Sequence, residues 1–234
     1  MENEIIVKLE NLVKRFPVGK SHFTALRNIS LEFKKGEFAG LVGPSGSGKT
    51  TLLNIIGSLD TPSEGIATVI GKRINDLSHK AAAHLRNYNI GFIFQTYNLL
   101  PVYNVFDNVE FALLLQKMTA TERKKAVMEA LEWVGLTDKA KSKPALLSGG
   151  ECQRVAIARA MVKRPALVLA DEPSANLDSV NSNHIVQTMK QLNRELNTTF
   201  IFSTHDEKVM RYLDRVIQLV DGEVASDELI KHED

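Results

Sequence analysis

Residues 38–50 read FAGLVGPSGSGKT, and this stretch decides the fold of the chain. Its first five residues form a continuous apolar run, which is typical of a strand buried on both faces of a parallel sheet. A glycine-rich loop from Gly43 to Thr50 follows at once, and the pattern of Thr51–Ile56 predicts a helix that starts near Lys49. A buried strand, a glycine-rich loop and a helix in this order predict a phosphate-binding loop.

The residue types in this loop suit the binding of phosphate. Glycines let backbone N–H groups surround phosphate oxygens, and the following helix adds the positive end of its dipole. The Lys49 ammonium can reach the terminal phosphates of a nucleotide, and the Thr50 hydroxyl can bind Mg²⁺. The alternative is a glycine turn without function, which the flanking strand and helix disfavour. We predict the following nucleotide-binding residues: Gly43, Pro44, Ser45, Gly46, Ser47, Gly48, Lys49, Thr50 and Thr51.

An acidic pair, Asp171-Glu172, follows a second apolar run at Ala166–Ala170. Because the carboxyl ends of parallel strands meet at one edge of a sheet, the Asp171 carboxylate can reach the water shell of a metal bound there. Glu172 is the candidate for polarising an attacking water. A surface acidic pair just past a strand is the alternative, and the upstream phosphate-binding loop disfavours it.

A second glycine-rich turn, Ser148-Gly149-Gly150, precedes an alanine-rich amphipathic helix over residues 151–161. The first N–H groups of a helix have no partner within it, and no bulky side chain stands in front of these. This predicts a second anion-binding site made by Ser148, Gly149 and Gly150. The simpler alternative is that Ser148 is only the N-cap of the helix.

The composition limits the class of protein. The chain has 234 residues, enough for one large domain or for a core with a small inserted subdomain. Its 29 basic and 28 acidic residues leave a net charge of +1, so no overall field attracts nucleic acid or an anionic membrane. The N-terminal residues do not have the pattern of an export signal, and no apolar run approaches the roughly 20 residues that cross a bilayer. If the chain acts at a membrane, we expect a partner to bring it there.

Strands that alternate with helices predict an α/β fold with a mainly parallel sheet. The dipeptide Asp221-Gly222 predicts a hairpin between the last strand and Glu223-Val224. From Val105 to about Gly135 the pattern is helical, which predicts a helical insertion over residues 96–163. The remaining strands are predicted at Ile5–Leu9, Ile29–Phe33, Ile66–Ile70, Ile90–Phe94, Thr199–Ser203 and Val216–Val220.

These motifs, in this order, resemble the nucleotide-binding subunit of ABC transporters, and the resemblance covers essentially the whole chain. Gly43–Thr50 resembles the Walker A motif, Leu167–Glu172 the Walker B motif and Leu147–Glu151 the signature motif. The family often continues its signature motif with Gln, whereas this chain has Glu151-Cys152, a departure that leaves the chemistry of the turn intact.

Further positions carry the same resemblance. Gln95 matches the Q-loop, Ser174–Asp178 the D-loop and His205 the switch histidine. The resemblance implies that Gln95 binds Mg²⁺ or water, and that His205 holds the γ-phosphate and the water. Phe16 is at the place where the family stacks an aromatic ring on adenine, and Phe23 is a competing candidate. The implied catalytic residues are Glu172, His205 and Gln95, and the implied Mg²⁺ ligands are Thr50, Gln95 and Asp171.

The resemblance also implies an architecture. It is a P-loop NTPase (RecA-like) core with an antiparallel β-subdomain and an inserted α-helical subdomain, all within a single ATPase domain of residues 1–234. Residues 1–95 and 164–234 form the β-subdomain and the core, and residues 96–163 form the helical subdomain that ends in the signature helix.

The implied activity is ATP hydrolysis with ATP and Mg²⁺ as cofactors. Two copies would pack head to tail, so that each ATP lies between the phosphate-binding loop of one copy and Ser148–Gly150 of the other. The partner would be an integral membrane permease on a separate chain, with no role for nucleic acid. The chain would then be cytoplasmic and peripheral, on the inner face of the cell membrane.

Three stretches are similar to the lipoprotein-release and macrolide-export branch of the family: Leu53–Gly57, Ile90–Pro101 and Ala175–Asp178. This similarity implies a role in export or in the extraction of lipoprotein or lipid. The alternative is an ATPase that regulates envelope remodelling or cell division through a membrane partner and moves no solute.

Tyr97–Phe106 has no charged residue and is rich in apolar groups. It belongs to the core, or part of it lines a groove for a short cytoplasmic helix of the membrane partner. Cys152, the single cysteine, excludes an internal disulfide and is compatible with a reducing cytosol. Its place in the first turn of the signature helix could lower the pKa of the thiol, and a neutral substitution is the alternative. The remaining histidines are predicted to be surface residues: His22, His79, His84, His184 and His232.

Overall fold

The computed structural model describes residues 4–230, apart from the side chains of residues 207 and 208. The strands are β1 (Ile5–Val18), β2 (Ser21–Lys34), β3 (Phe38–Val42), β4 (Glu64–Val69), β5 (Lys72–Arg73), β6 (Ile90–Ile93), β7 (Leu167–Asp171), β8 (Thr199–Thr204), β9 (Arg215–Val220) and β10 (Glu223–Leu229). The α-helices are α1 (Lys49–Ile56), α2 (His79–Asn89), α3 (Val105–Glu110), α4 (Ala120–Trp133), α5 (Gly149–Met161), α6 (Ser179–Leu196) and α7 (Glu207–Met210).

The larger sheet has the strand order β10-β9-β3-β8-β7-β6. All of its neighbouring strands are parallel except β10, which pairs antiparallel with β9. The turn between β9 and β10 is Asp221-Gly222, where φ is +47° and +82°, as a two-residue hairpin turn of the primed type requires. The α/β class, the mainly parallel sheet and the terminal hairpin are therefore confirmed.

The smaller sheet is antiparallel, with the order β2-β1-β4-β5. Its first two strands are much longer than the predicted segments Ile5–Leu9 and Ile29–Phe33. The start of β1 does not alternate between buried and exposed side chains, because Ile6 and Val7 are both buried and the register shifts between Ile5 and Val7. The sequence pattern missed the extensions of the two strands because they mix apolar and polar residues without regular alternation, and many of their side chains are exposed.

The parallel sheet separates two apolar clusters. One cluster lies between this sheet, α1 and the antiparallel sheet, and includes Leu52, Ile56 and Phe33. The other lies under α3, α4, α5 and α6, and includes Val155 and Met189. All five residues of β3 are buried, as predicted for a strand covered on both faces. This central strand ends where the glycine-rich loop begins.

The helical stretch predicted from Val105 to Gly135 is interrupted. α3 ends at Glu110 and is followed by a short 3₁₀ turn, and α4 begins only after Thr119. Thr119 and Glu122 form a capping box at the start of α4. This capping signal marks a new helix start within the stretch that was predicted to be helical throughout. Residues 96–163 contain α3, α4 and α5, while the division of the chain at residues 95 and 164 stays a prediction. No helix within residues 4–230 combines the length and apolar character needed to cross a membrane.

Candidate functional site

In the loop between β3 and α1, Gly43 and Gly48 combine a backbone conformation that favours glycine with close contacts that leave no room for a Cβ. Gly43 has a φ of +146°, and a Cβ there would collide with the carbonyl oxygen of Leu219. Gly48 has a φ of +100°, and a Cβ there would lie 2.7 Å from the carbonyl oxygen of Ala25. Gly48 also precedes the first residue of α1 and has no side chain to cap it. The first N–H groups of α1 therefore remain available to an anion.

Lys49 is held inside this loop, with only 7% of its surface exposed. Its ammonium donates hydrogen bonds to the carbonyl oxygens of Gly43 at 2.8 Å and Pro44 at 2.9 Å. The loop thus surrounds the Lys49 ammonium, which lies beside the uncapped start of α1. Positive charge and free N–H groups are concentrated at one point, and this suits a phosphate chain.

Thr50 and Asp171 meet at the carboxyl edge of the parallel sheet. The Thr50 hydroxyl donates to the two carboxylate oxygens of Asp171 over 3.0 and 3.2 Å. Hydroxyl and carboxylate oxygens are ligands that Mg²⁺ accepts, and the ion usually completes its shell with water and phosphate oxygens. Within residues 4–230 no cluster of three or more His, Cys, Asp or Glu could hold a metal by itself. The donor set therefore fits an ion that is shared with a nucleotide.

Glu172 lies next to Asp171 and contacts His205. Its Oε1 lies 2.7 Å from Nδ1 of His205, whose side chain is 71% exposed, while that of Glu172 is 17% exposed. The backbone of Glu172 has a φ of +48°, a conformation that is strained for a residue with a side chain. Its N–H donates to the carbonyl oxygen of Ser203 at 2.9 Å, which holds the residue in place. Its Oε2 is buried and has no hydrogen-bond partner in the described part of the chain.

These groups line one cavity of about 620 Å³. The lining consists of Phe16, Phe23, Ala25, Pro44, Ser45, Gly46, Gly48, Lys49, Thr50, Thr51, Gln95, Asp171, Glu172, Ser203 and His205. Of the predicted loop residues, Gly43 and Ser47 are not part of this lining. Two lining residues, Ala25 and Ser203, were not predicted. Ser203 could have been found from its place at the end of an apolar run just before His205, whereas the small apolar side chain of Ala25 gives no such signal.

Phe16 and Phe23 are both in the cavity wall because they are paired directly across β1 and β2. Phe16 is 37% exposed and Phe23 is 56% exposed. The ammonium of Lys14 lies 5.0 Å from the centre of the Phe16 ring and is bound by Asp60 at 2.6 Å. The structure therefore brings together both candidates for stacking on the base.

The start of α5 lies elsewhere. Ser148, Gly149 and Gly150 are not among the described residues that line the cavity. The Ser148 hydroxyl accepts the N–H of Glu151 at 3.2 Å, and the Glu151 carboxylate accepts the N–H of Ser148 at 2.8 Å. Ser148 is thus an N-cap within a capping box, while the N–H groups of Gly149 and Gly150 belong to the first turn, which has no acceptor within the helix.

Two further predictions about side chains have an outcome in the structure. Burial raises the pKa of the Cys152 thiol, and the neighbouring Glu151 carboxylate adds to this effect. The idea that the helix start lowers this pKa is therefore wrong, because desolvation dominates. The surface histidines are confirmed where they are described, since four of them are exposed: His22, His79, His84 and His184. His232 lies outside the described residues.

The loops around the cavity contact one another. Gln95 contributes to the cavity wall, and its carbonyl oxygen accepts a hydrogen bond of 2.9 Å from the side-chain amide of Asn176. Asp178 ends this D-loop segment and caps α6 through the N–H groups of Val180 and Asn181. The loops after β6 and β7 are therefore joined by a direct hydrogen bond.

A phosphate-binding loop after a buried parallel strand, with acidic residues at the end of another strand of the same sheet, defines a P-loop nucleotide-binding protein. The family model described as "ABC transporter" matches residues 26–175. The chain therefore belongs to the ABC transporter family, and it is an ATPase that binds ATP.

The relatives agree with this assignment over nearly the whole chain. The uncharacterized ABC transporter ATP-binding protein MJ0796 of Methanocaldococcus jannaschii is 43% identical, over 97% of this chain and 98% of that protein. The lipoprotein-releasing system ATP-binding protein LolD of Pseudoalteromonas translucida is 43% identical, over 95% of this chain and 96% of that protein. The protein of the same name from Bacteroides thetaiotaomicron is 42% identical, over 95% of this chain and all of that protein.

Solved structures give the same fold. A dimeric structure of MJ0796 in a post-hydrolysis state bound to ADP and Pi superposes with a TM-score of 0.88 at 42% identity. The superposition covers 97% of this chain and 100% of that one. CbiO1 of Clostridium perfringens, part of the transporter complex cbiONQ, gives a TM-score of 0.87 at 31% identity, over 96% of this chain and 88% of that one. The ABC ATPase fold is therefore confirmed for this chain.

Proposed function

We propose that two copies of this chain close around two ATP molecules and drive a separate membrane subunit, in export or in the extraction of lipoprotein or lipid. One observation carries the proposal. The residues predicted to bind or cleave ATP line the cavity, except Gly43 and Ser47 of the same loop and Ser148–Gly150, which begin a helix outside it. A second copy, packed head to tail, supplies this missing helix start to the cavity. The dimeric MJ0796 structures and the named lipoprotein-release relatives support this arrangement.

Within each site, different residues of the chain have different roles. Lys49 and the first N–H groups of α1 bind the phosphate chain, and the rings of Phe16 and Phe23 are available to the base. Thr50, Asp171 and Gln95 would hold Mg²⁺, which would neutralise negative charge on the phosphates when bound. The carboxylate of Glu172, which lines the cavity, accepts a hydrogen bond from the attacking water and orients it. His205 keeps Glu172 in place through the contact at Nδ1 and holds the γ-phosphate.

The electrostatics of two facing helix starts give a reason for the dimer to close with ATP and to open after hydrolysis. The positive ends of α1 and of the partner copy's α5 repel each other when nothing lies between them. A triphosphate between them reverses this repulsion and closes the dimer. Release of the γ-phosphate after cleavage removes the bridge and opens the dimer.

The test of this proposal is Glu172→Gln. The amide cannot act as a base, so ATP turnover should fall at least a hundredfold, while ATP binding stays unchanged. The variant should therefore accumulate as an ATP-bound dimer in size-exclusion chromatography. A control with Lys49→Ala should neither bind ATP nor dimerise. A Glu172→Gln protein that remains monomeric at saturating ATP contradicts the proposal.

An exposed apolar surface supports the role of a membrane partner. Around Tyr97–Phe106 and the turn after α3, large apolar side chains are exposed: Val102 at 73%, Tyr103 at 41%, Phe111 at 51%, Leu114 at 51% and Leu115 at 82%. The buried side chain of Asn108 braces this loop, since its Oδ1 accepts the N–H of Leu100 and its Nδ2 donates to the carbonyl oxygens of Leu100, Tyr103 and Asn104. A braced apolar loop is suited to receive a short helix of a permease. Through it, the chain would be held at the inner face of the cell membrane.

This surface is tested by Val102→Asp. The side chain is on the outside, so the charge should leave the ATPase activity of the isolated subunit unchanged. Co-purification with the membrane subunit should be lost, because a charge cannot be buried in an apolar contact without a partner. Val180→Asp, at an equally exposed valine on α6, serves as the control. Loss of ATPase activity together with binding would indicate a core position instead. The identity of the polypeptide that co-purifies with the unchanged protein separates transport from a regulatory role.

A further inference from the structure

The helix α5 touches the loop that follows Glu172 through one buried side chain. Gln153 is in the second turn of α5 and is completely buried. Its Nε2 donates a hydrogen bond of 2.8 Å to the carbonyl oxygen of Pro173. Because a carbonyl oxygen can only accept, this bond requires a donor at that position of the side chain.

Pro173 is the residue directly after Glu172, and the segment around it is held on several sides. The N–H of Glu172 is bound to Ser203, and the Ser174 hydroxyl donates to the Asp206 carboxylate at 3.0 Å. The strained φ of Glu172 persists only while such contacts maintain it. A shift of the Pro173 carbonyl moves Pro173 and, through the peptide bond between the two residues, the backbone that carries the Glu172 side chain.

The chemistry of Gln153 suggests that it does more than fill space. Its Oε1 is buried and has no hydrogen-bond partner among the residues that the structure describes. A buried polar atom without a partner destabilises the fold, and a methionine would fill a similar volume without that cost. The feature that glutamine adds at this position is the directed hydrogen bond to Pro173.

We propose that Gln153 is a positioning residue that couples the binding of ATP at the start of α5 to the position of Glu172. This inference rests on the proposed dimer, in which Gly149 and Gly150 bind the ATP held by the partner copy. In this dimer the N-terminal end of α5 contacts the ATP held by the partner copy. Gln153 links the position of α5 to Glu172 of its own copy, which acts on the ATP held by that copy. Hydrolysis at each site then depends on the occupancy of both.

The first test is Gln153→Met, which keeps the volume and removes the donor. At saturating ATP, kcat should fall roughly tenfold, the factor that corresponds to one lost buried hydrogen bond. In the Glu172→Gln background, the ATP concentration for half-maximal dimerisation should stay unchanged, because the binding surfaces are intact. Gln187→Met serves as the control, since Gln187 is exposed on α6 and its side chain donates to the Tyr212 hydroxyl at 3.3 Å, outside the cavity lining. It should keep the kcat of the unchanged protein.

The second test is Gln153→Glu, which makes the bond depend on pH. Burial raises the pKa of a carboxyl group at this position, and the protonated form can donate to Pro173 as the amide does. The kcat of this variant, relative to that of the unchanged protein, should therefore rise as the pH falls from about 8 to about 6. The corresponding ratio for Gln153→Met should not change with pH.

The outcomes distinguish this inference from the proposed function. If Glu172→Gln dimerises with ATP but Gln153→Met retains full kcat, only the coupling role is overturned. The coupling role is also overturned if Gln153→Met loses dimerisation in parallel with kcat. It is overturned as well if the kcat of Gln153→Glu, relative to that of the unchanged protein, does not depend on pH, since a merely structural role gives that result. If Glu172→Gln does not dimerise, the proposed function fails and the coupling role fails with it.

Discussion

Two helix starts in this chain were predicted to bind anions, and they are built differently. α1 begins after Gly48, which has a φ of +100° and no side chain for capping. α5 begins after Ser148, whose hydroxyl forms a capping box with Glu151. The first start lies in the wall of the nucleotide cavity, and the second lies outside it.

This difference supports an order of binding at the two helix starts in the proposed dimer. The start of α1 has no side-chain cap and holds Lys49 among backbone carbonyls, so a phosphate completes its hydrogen bonding. The start of α5 is stable without a ligand and has the N–H groups of Gly149 and Gly150 to offer. We therefore expect a single copy to bind ATP through α1, and α5 to add only the contacts that close a dimer.

The largest effect is expected for Gly48→Ala. The new Cβ would lie 2.7 Å from the carbonyl oxygen of Ala25, at a φ that alanine rarely adopts. ATP affinity, measured by titration with a fluorescent nucleotide, should fall at least about a hundredfold because the phosphate-binding backbone is displaced. Gly46→Ala is the matched control, since its Cβ meets no described atom within 4 Å and only the φ of +82° is unfavourable. Equal losses in both variants would contradict the role given to close packing at Gly48.

A smaller effect of another kind is expected for Gly150→Ala. Its Cβ would lie 2.6 Å from Oδ1 of Asn181, a side chain that can move. The start of α5 would shift, and ATPase activity should fall roughly tenfold. The ATP affinity of the single copy should stay the same, because α1 is untouched. Gly71→Ala, in a surface turn where the Cβ meets no described atom within 4 Å, should leave the ATPase activity unchanged. A loss of single-copy ATP affinity would break the distinction between the two helix starts.

The smallest effect is expected for the cap itself. Ser148→Ala removes an N-cap, which should lower the free energy of unfolding by about 1 kcal/mol and the melting temperature by about 2–4 °C. Thr119→Ala removes the equivalent cap of α4 and should cost a similar amount. ATPase activity should fall for Ser148→Ala only, because α4 does not take part in the proposed site. Equal ATPase losses in both would mean that the caps act through stability alone.

The same capping box predicts a pH dependence. The backbone N–H of Ser148 holds the pKa of Glu151 below its usual value of 4.5. A carboxyl group whose pKa is lower in the folded state stabilises the protein above its unfolded pKa, and this contribution is lost as the pH falls through the folded value. The difference in unfolding free energy between the unchanged protein and Glu151→Gln should therefore be largest above about pH 4.5 and shrink below it. Denaturant unfolding at several pH values measures it, and a difference that grows towards low pH would refute the assignment.

Local patterns predicted the elements whose signals lie within a few neighbouring residues. The buried strand β3, the start of α1 near Lys49 and the turn at Asp221-Gly222 are of this kind, because glycine geometry and continuous apolar character are local properties. α2 was not predicted, since Leu85 is its only fully buried residue and a polar helix has little periodicity. The interruption between α3 and α4 was also missed, although Thr119 and Glu122 carry a capping signal.

The candidate site follows the same rule. The loop residues, Asp171 and Glu172 were predicted from motifs, and the structure brings most of them into one cavity. Pairing of β1 with β2 places Phe16 opposite Phe23, and neither segment alone reveals this. The roles of these residues in binding and catalysis stay predictions that the variants above test.

The sequence by itself predicted the phosphate-binding loop from one strand, one loop and one helix, and the family from several short motifs in a fixed order along the chain. Only the tertiary structure decided that both phenylalanines line the same cavity, that burial raises the pKa of Cys152 and that Gln153 reaches Pro173. These features depend on desolvation and on contacts between segments far apart in the chain. Neither is a property of a short stretch of sequence, since both arise only when the sheet and helices pack.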